Sequence, residues 1–152
     1  MEPKQLIQEA QRKLAVADHF MHVTFPMIKE TKMLKAIMDH LANSVFMAME
    51  AVLEHEKREK KLFAATGNFQ NDVELFRRVG MRYGFSGKYT YLLQELHAFQ
   101  ESKKKSHMEF VRGGKYVFAF DDYSMKSLTE ERVKKTVAFA KEFILKAGGV
   151  VG

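Results

Sequence analysis

Apolar side chains recur at spacings of three and four along most of this chain, which is the pattern of helices that bury one face. The first series runs from Ile7 to Met21. It predicts a helix that begins near Pro3, because proline fits a first helical turn. Pro26 lacks an amide hydrogen and disfavours helical geometry in the preceding residue. A break or kink is therefore predicted at 22–26.

The longest apolar stripe predicts a second helix, because it continues for about five turns without glycine or proline. Its members are Leu34, Ile37, Met38, Leu41, Val45, Ala48, Met49, Val52 and Leu53. The following residues, 54–61, are polar on every side. They are predicted to form the end of the helix and to project into solvent, with pairs of opposite charge four residues apart.

Two shorter helices are predicted next. The third has apolar positions from Val73 to Tyr83, with Asn71 or Asp72 as its N-cap. The turn around 84–87 contains two glycines, and a fourth helix then runs from Tyr89 to about Lys103.

The remainder of the chain predicts a β-hairpin and a final helix. Strand-forming residues flank Gly113–Gly114, so a hairpin is expected at about 108–120, with alternate aromatic residues facing the helices. These residues are Tyr116, Phe118 and Phe120. Ser127 to Glu130 matches a capping box, and Gly148–Gly149 is predicted to end the last helix. The predicted fold is mainly α: one domain over 1–152, a bundle of about five helices with one short hairpin before the last helix.

Composition limits the class of protein. A chain of 152 residues can bury a core without a disulfide or a metal. The absence of cysteine removes disulfides, thiolate metal sites and cysteine nucleophiles, and it fits a reducing compartment, so a cytoplasmic location is predicted. No run of 18 apolar residues occurs, and the start lacks a basic region followed by an apolar one. Neither a membrane span nor an export signal is expected.

The net charge of +6 is concentrated in the middle third of the chain, which makes this segment the candidate nucleic-acid-binding region. Tyr83, Tyr89 and Tyr91 lie nearby in sequence and would stack on bases. The alternative is an ordinary solvated basic face, with three consecutive lysines complementing a helix C-terminus. The nine candidate cations are Arg77, Arg78, Arg82, Lys88, Lys103, Lys104, Lys105, Arg112 and Lys115.

Other chemistry has less support in the sequence. Asp18, His19 and His22 have a spacing that permits a metal site, but surface histidines near a helix break are the favoured interpretation. Asp121–Asp122 is interpreted as a turn. The common nucleotide-binding, serine-nucleophile and zinc-protease motifs are missing. No metal or cofactor is predicted.

One family resemblance bears on both fold and function. The stretch 17–26, the helix from Met33 to Glu56, and the hairpin with the last helix (109–145) resemble HEPN-like helical bundles, particularly their small uncharacterised archaeal-type members. The resemblance implies a dimer that acts on or near RNA. Ribonucleases of that family carry an Arg-x4-6-His motif on a late helix at the dimer cleft. Here Arg12 and His19 have that spacing, but they lie on the first helix.

These observations give one leading hypothesis and two alternatives. The leading hypothesis is a non-enzymatic, cytoplasmic binding module whose partner is RNA or an RNA–protein assembly. The methionine-rich second helix is typical of deep burial or of a seam between two copies, and a homodimer is expected. The alternatives are a metal-independent ribonuclease, with His19 as acid/base and Arg12 holding phosphate, and an adaptor that binds only proteins.

Overall fold

The structure is a mainly helical bundle, as the sequence predicts. The computed structural model describes residues 1–60 and 66–152. Within these ranges, five helices have at least 13 residues and one short three-stranded sheet precedes the last helix. The helices are α1 (Pro3–His19), the four-residue α2 (Phe25–Ile28), α3 (Met33–Lys60), α4 (Phe69–Met81), α5 (Gly87–Lys105) and α6 (Glu130–Val151), and the strands are β1 (Met108–Arg112), β2 (Lys115–Ala119) and β3 (Met125–Leu128).

Helix α3 is the centre of the core and packs against α1, α4, α5 and α6. This explains the width of its apolar stripe. Met38 and Met49 are buried, and Met33 and Met47 are partly buried against the same core. Packing within one chain therefore accounts for these methionines. They give no evidence for the homodimer, which stays a prediction.

The break or kink predicted at 22–26 is a widened helical turn. Phe20–Thr24 forms a π turn, and Phe25 donates its backbone N–H to the Phe20 carbonyl. Pro26 then lies in the first turn of α2, directly after the π turn. The helix continues through the proline and ends only at Lys29, whose backbone is left-handed.

The predicted hairpin is present, and it belongs to a sheet with one more strand. Gly113 and Gly114 both have positive φ, which the tight turn between β1 and β2 requires. Tyr116 and Phe118 are buried and Phe120 is partly buried, as the alternation predicts. Strand β3 pairs antiparallel with β2, which leaves β3 at the edge of the sheet.

The predicted boundaries of α6 were wrong at both ends. Ser127 lies in β3, so it does not cap the helix. Thr129 is the N-cap, and its side chain accepts a hydrogen bond from the backbone N–H of Arg132. At the other end the helix continues through Gly148–Gly149 to Val151. Ile7 of α1 lies 3.7 Å from where a Gly148 Cβ would be, so this part of α6 packs close to α1.

The N-terminus of α4 also differs from the prediction. Asn68 caps the helix by accepting a hydrogen bond from the N–H of Asn71. Asp72 is buried, and its carboxylate accepts hydrogen bonds from the N–H groups of Thr66 and Gly67. It holds the preceding loop instead of the helix end.

Candidate nucleic-acid interface

Seven of the nine candidate cations have an acidic partner within the chain. Arg77 and Arg78 both pair with Glu74 on the same turn of α4, at 2.7 and 3.4 Å. The hydrogen bond from Arg77 lowers the pKa of Glu74 to about 2. Glu74 therefore keeps its negative charge at neutral pH, and the two arginines present less net charge than their number suggests.

Arg82 is held by a buried carboxylate. Glu56 of α3 is only 1% exposed, which contradicts the prediction that 54–61 projects into solvent. Its carboxylate accepts hydrogen bonds from Arg82 Nη1 at 2.7 Å and from the Tyr83 hydroxyl at 2.6 Å. Position 61 of that segment lies outside the described residues. Arg82 and Tyr83 thus attach the end of α4 to α3.

The lysines of α5 are paired as well. Lys88 lies 2.8 Å from Glu142, and Lys103 lies 2.6 Å from Asp39. Lys104 and Lys105 lie 3.8 and 3.6 Å from Glu101 on the preceding turn. The first two pairs connect α5 to α6 and to α3, and the pairs with Glu101 reduce the net charge at the C-terminus of α5. The four lysines therefore do not form a continuous positive surface.

The remaining two candidates differ from the other seven. Arg112 and Lys115 flank the glycine turn, are exposed, and lie beyond 4.0 Å from any carboxylate in the described ranges. Lys126, in β3, is likewise exposed and has no acidic partner among the described residues. All three line one depression of about 440 Å³ on the sheet, with Phe110 and Met125.

That depression lies on the face of the sheet that points away from the helices, where Phe110, Val117 and Ser127 are register partners. A second depression, of about 250 Å³, lies between the sheet, α5 and the start of α6 and shares Lys126 and Ser127 with the first. A third, of about 380 Å³, lies between α5 and α6 and shares Glu95 and Arg132 with the second. The first two depressions lie on opposite faces of the sheet and meet at the edge strand β3. We call the three depressions together the β3–α6 groove.

The β3–α6 groove carries an excess of positive charge. Five cations line it, and its acidic residues are Glu95, 3.0 Å from one cation, and Glu131, 3.2 Å from another. The excess is three positive charges. The five cations are Arg112, Lys115, Lys126, Arg132 and Lys135.

Aromatic rings stand at both ends of the groove. Phe110 is partly exposed at the sheet end, and Tyr91 is 64% exposed at the α5–α6 end. The other two tyrosines predicted to stack on bases are used structurally. Tyr89 is buried and donates to Glu142, and both its burial and this hydrogen bond raise its pKa. Tyr83 donates to Glu56.

The sheet is fixed to the bundle by a charged hydrogen-bond cluster. Glu109 of β1 accepts hydrogen bonds from Lys35 of α3 and from the Tyr116 hydroxyl, each at 2.5 Å. Burial and the bond to Glu109 raise the pKa of Tyr116 to about 12. Burial alone would raise the pKa of Glu109, but the bonds from Lys35 and Tyr116 lower it. Glu109 therefore keeps its negative charge at neutral pH while Tyr116 keeps its hydroxyl proton, and their hydrogen bonds hold the sheet against α3.

The ribonuclease candidates are not assembled into a comparable site. Arg12 is exposed, pairs with Glu9 one turn away, and lines a different depression near the start of the chain. His19 is exposed two turns further along the same helix, roughly 10 Å along the axis at 1.5 Å per residue. Neither residue lies in the β3–α6 groove.

The other acidic and histidine candidates have structural partners. Asp18 lies 2.8 Å from Lys141 of α6 and 3.5 Å from His22. Asp122 accepts hydrogen bonds from the N–H and hydroxyl of Ser124, which closes the turn between β2 and β3. In the part of the chain that the structure describes, no three His, Asp or Glu side chains are grouped so as to hold a metal ion.

Sequence reasoning missed three of the five groove cations. Lys126, Arg132 and Lys135 lie outside the segment 77–115 that carries the net charge. A signal was present, because 126–135 contains four cations. It was missed because the charge was summed over the whole chain outside 77–115, which is neutral in total.

Comparison with known proteins adds no assignment. No family model matches the chain, and no curated protein matches it significantly. One helical stretch, Met33–Glu59, is long and apolar enough to cross a membrane, but 61% of its most apolar window is buried within the fold as the core of α3. Its hydrophobicity is accounted for by packing.

Proposed function

We propose that this protein is a non-enzymatic RNA-binding module that holds the sugar–phosphate backbone along the β3–α6 groove. The observation that carries the proposal is the clustering in one depression of Arg112, Lys115 and Lys126, cations without an acidic partner in the described ranges. Cations of this kind are free to exchange their counterions for phosphates.

The rest of the groove supports the same function. Arg132 and Lys135, each paired with a glutamate, lie toward α5, and partly exposed rings stand at the two ends of the groove. A positive channel with aromatic side chains beside it is the arrangement that proteins use to follow a single nucleic-acid strand. The resemblance to HEPN-like bundles, which often act on or near RNA, adds independent support.

The proposal is tested by the salt dependence of RNA binding. We expect the purified protein to bind an unstructured, fluorescently labelled 20-nucleotide RNA in an anisotropy titration. The logarithm of the association constant should fall linearly with the logarithm of KCl concentration, with a slope of roughly −2 to −3.5 for three to five phosphate contacts on a single strand. No binding at about 50 mM salt, or an affinity that does not change with salt, would contradict it.

A further inference from the structure

The outer face of the sheet, which points away from the helices, carries a pair of like charges. Arg112 and Lys115 are direct partners in the antiparallel register of β1 and β2. Both side chains are exposed, and neither pairs with a carboxylate in the described ranges. Like charges directly opposite each other on neighbouring strands destabilise a sheet. An anion bound between the two cations would remove this repulsion.

An aromatic ring stands beside the charge pair on the same face. Phe110 precedes Arg112 by two residues, so both side chains project to the same side of β1, about 6.6 Å apart along the strand. The ring is partly exposed and does not belong to the helical core. It lines the same depression as Arg112 and Lys115. Phe110 therefore offers aromatic surface to a ligand that the two cations would hold.

The rest of this depression is apolar, with one hydroxyl. Val117 is the register partner of Phe110 and is only 7% exposed, although it lies on the outer face and outside the helical core. Met125 and Ser127 of β3 complete the lining, and Ser127 is exposed. The volume of about 440 Å³ lies within the ~300–1,000 Å³ typical of small-ligand sites. The depression thus suits a ligand with a flat apolar part and an anionic part.

We propose that the outer face of the sheet binds one nucleotide of a single RNA strand, with its phosphate between Arg112 and Lys115 and its base stacked on Phe110. The inference rests on the proposed function, to which it adds a position for a base. A phosphate and a base joined by one sugar match the short separation of the cations from the ring. In a duplex the bases are stacked inside the helix, so none can lie on Phe110.

The acidic residues of the sheet lie away from the charge pair. Glu109 is on the helix-facing side of β1, where it accepts a hydrogen bond from Lys35. Asp121 and Asp122 are in the turn after β2, roughly 20 Å from Lys115 along an extended chain. Their charge disfavours phosphate at that end of the sheet. The phosphate is therefore expected at the glycine turn, next to Phe110.

The experiment combines a change in the ring with a change in the ligand. Fluorescence anisotropy at one salt concentration compares an unstructured RNA with a strand of equal length and charge that has no bases. The parent protein should bind the strand with bases at least about 10-fold more tightly, because one base stacked on an aromatic side chain contributes a factor of this order. Phe110→Leu keeps an apolar side chain beside Val117 and should reduce that advantage about 10-fold.

Three controls separate stacking from other effects of the substitution. Phe110→Tyr keeps an aromatic ring and should retain RNA affinity within about twofold. Phe110→Leu should leave the salt slope and the affinity for an RNA duplex unchanged, because the cations are still present. Phe20→Leu makes the same change at a partly buried ring of the π turn, away from the groove, and should not alter RNA affinity.

The outcomes separate the two proposals. Equal binding of the strands with and without bases by the parent protein would overturn the base site and leave the groove function standing. The same conclusion holds if Phe110→Leu weakens binding of both strands by the same factor. Failure of the parent protein to bind either strand would overturn both proposals. Loss of the base-dependent advantage in Phe110→Leu, with retention in Phe110→Tyr, supports the base site.

Discussion

The triple variant Arg112→Ala, Lys115→Ala, Lys126→Ala should bind RNA about 100-fold more weakly than the parent at low salt. These side chains are exposed, so their removal leaves the core intact. Since each phosphate neutralised on a single strand contributes about 0.7 to the salt slope, that slope should become shallower by about 2. Anisotropy titrations at several KCl concentrations measure both quantities.

The matched control removes the same net charge elsewhere. Lys4, Lys13 and Lys57 also have no acidic partner among the described residues, and they lie on α1 and α3 away from the groove. The triple alanine variant at these positions should keep its RNA affinity within about twofold. If both triple variants lose affinity equally, binding depends on overall charge, and the groove has no special role.

Arg82→Met should lower the free energy of unfolding by about 2–3 kcal/mol. The carboxylate of Glu56 is 1% exposed. Loss of the guanidinium leaves a buried negative charge whose remaining hydrogen bond, among the residues that the structure describes, comes from the Tyr83 hydroxyl. That remaining hydrogen bond places the expected loss at the lower end of what breaking a buried ion pair costs. Urea denaturation followed by circular dichroism measures the change. RNA affinity should stay the same, because Arg82 does not line the groove.

Arg78→Met is the control for this loss of stability. Arg78 lies on the same helix, is 71% exposed, and pairs with a surface carboxylate, so its replacement should cost less than about 0.5 kcal/mol. Adding Glu56→Gln to Arg82→Met should restore part of the lost stability, because it removes the buried charge. Equal stability of Arg82→Met and Arg78→Met would contradict the burial of the Glu56 carboxylate.

Helical periodicity predicted the fold well, because burial of one face leaves a regular trace in the sequence. The stripe of α3 and the turn at Gly113–Gly114 are examples. Strand β3 was missed because Met125–Leu128 contains no β-branched or aromatic residue and is stabilised by pairing with β2. The start of α6 was misplaced because that pairing occupies Ser127, which leaves Thr129 as the cap.

The candidate site was predicted only in part, since counting charges along the chain does not show which of them are neutralised in space. Glu74 and Glu101 lie next to their cationic partners in sequence, and those pairs could have been anticipated. Glu56, Asp39 and Glu142 pair with cations that are 26 to 64 residues away in sequence. Only the tertiary fold brings these groups together, so it alone distinguishes a structural cation from one that is free to bind phosphate.

The most direct test of the groove is to map where RNA touches the protein. Ultraviolet crosslinking of the parent protein to an unstructured RNA, followed by mass spectrometry of the peptides, should place the crosslinks at Phe110 to Lys135 and near Tyr91. Crosslinks confined to 77–82 of α4, or to Arg12 and His19 of α1, would contradict the account.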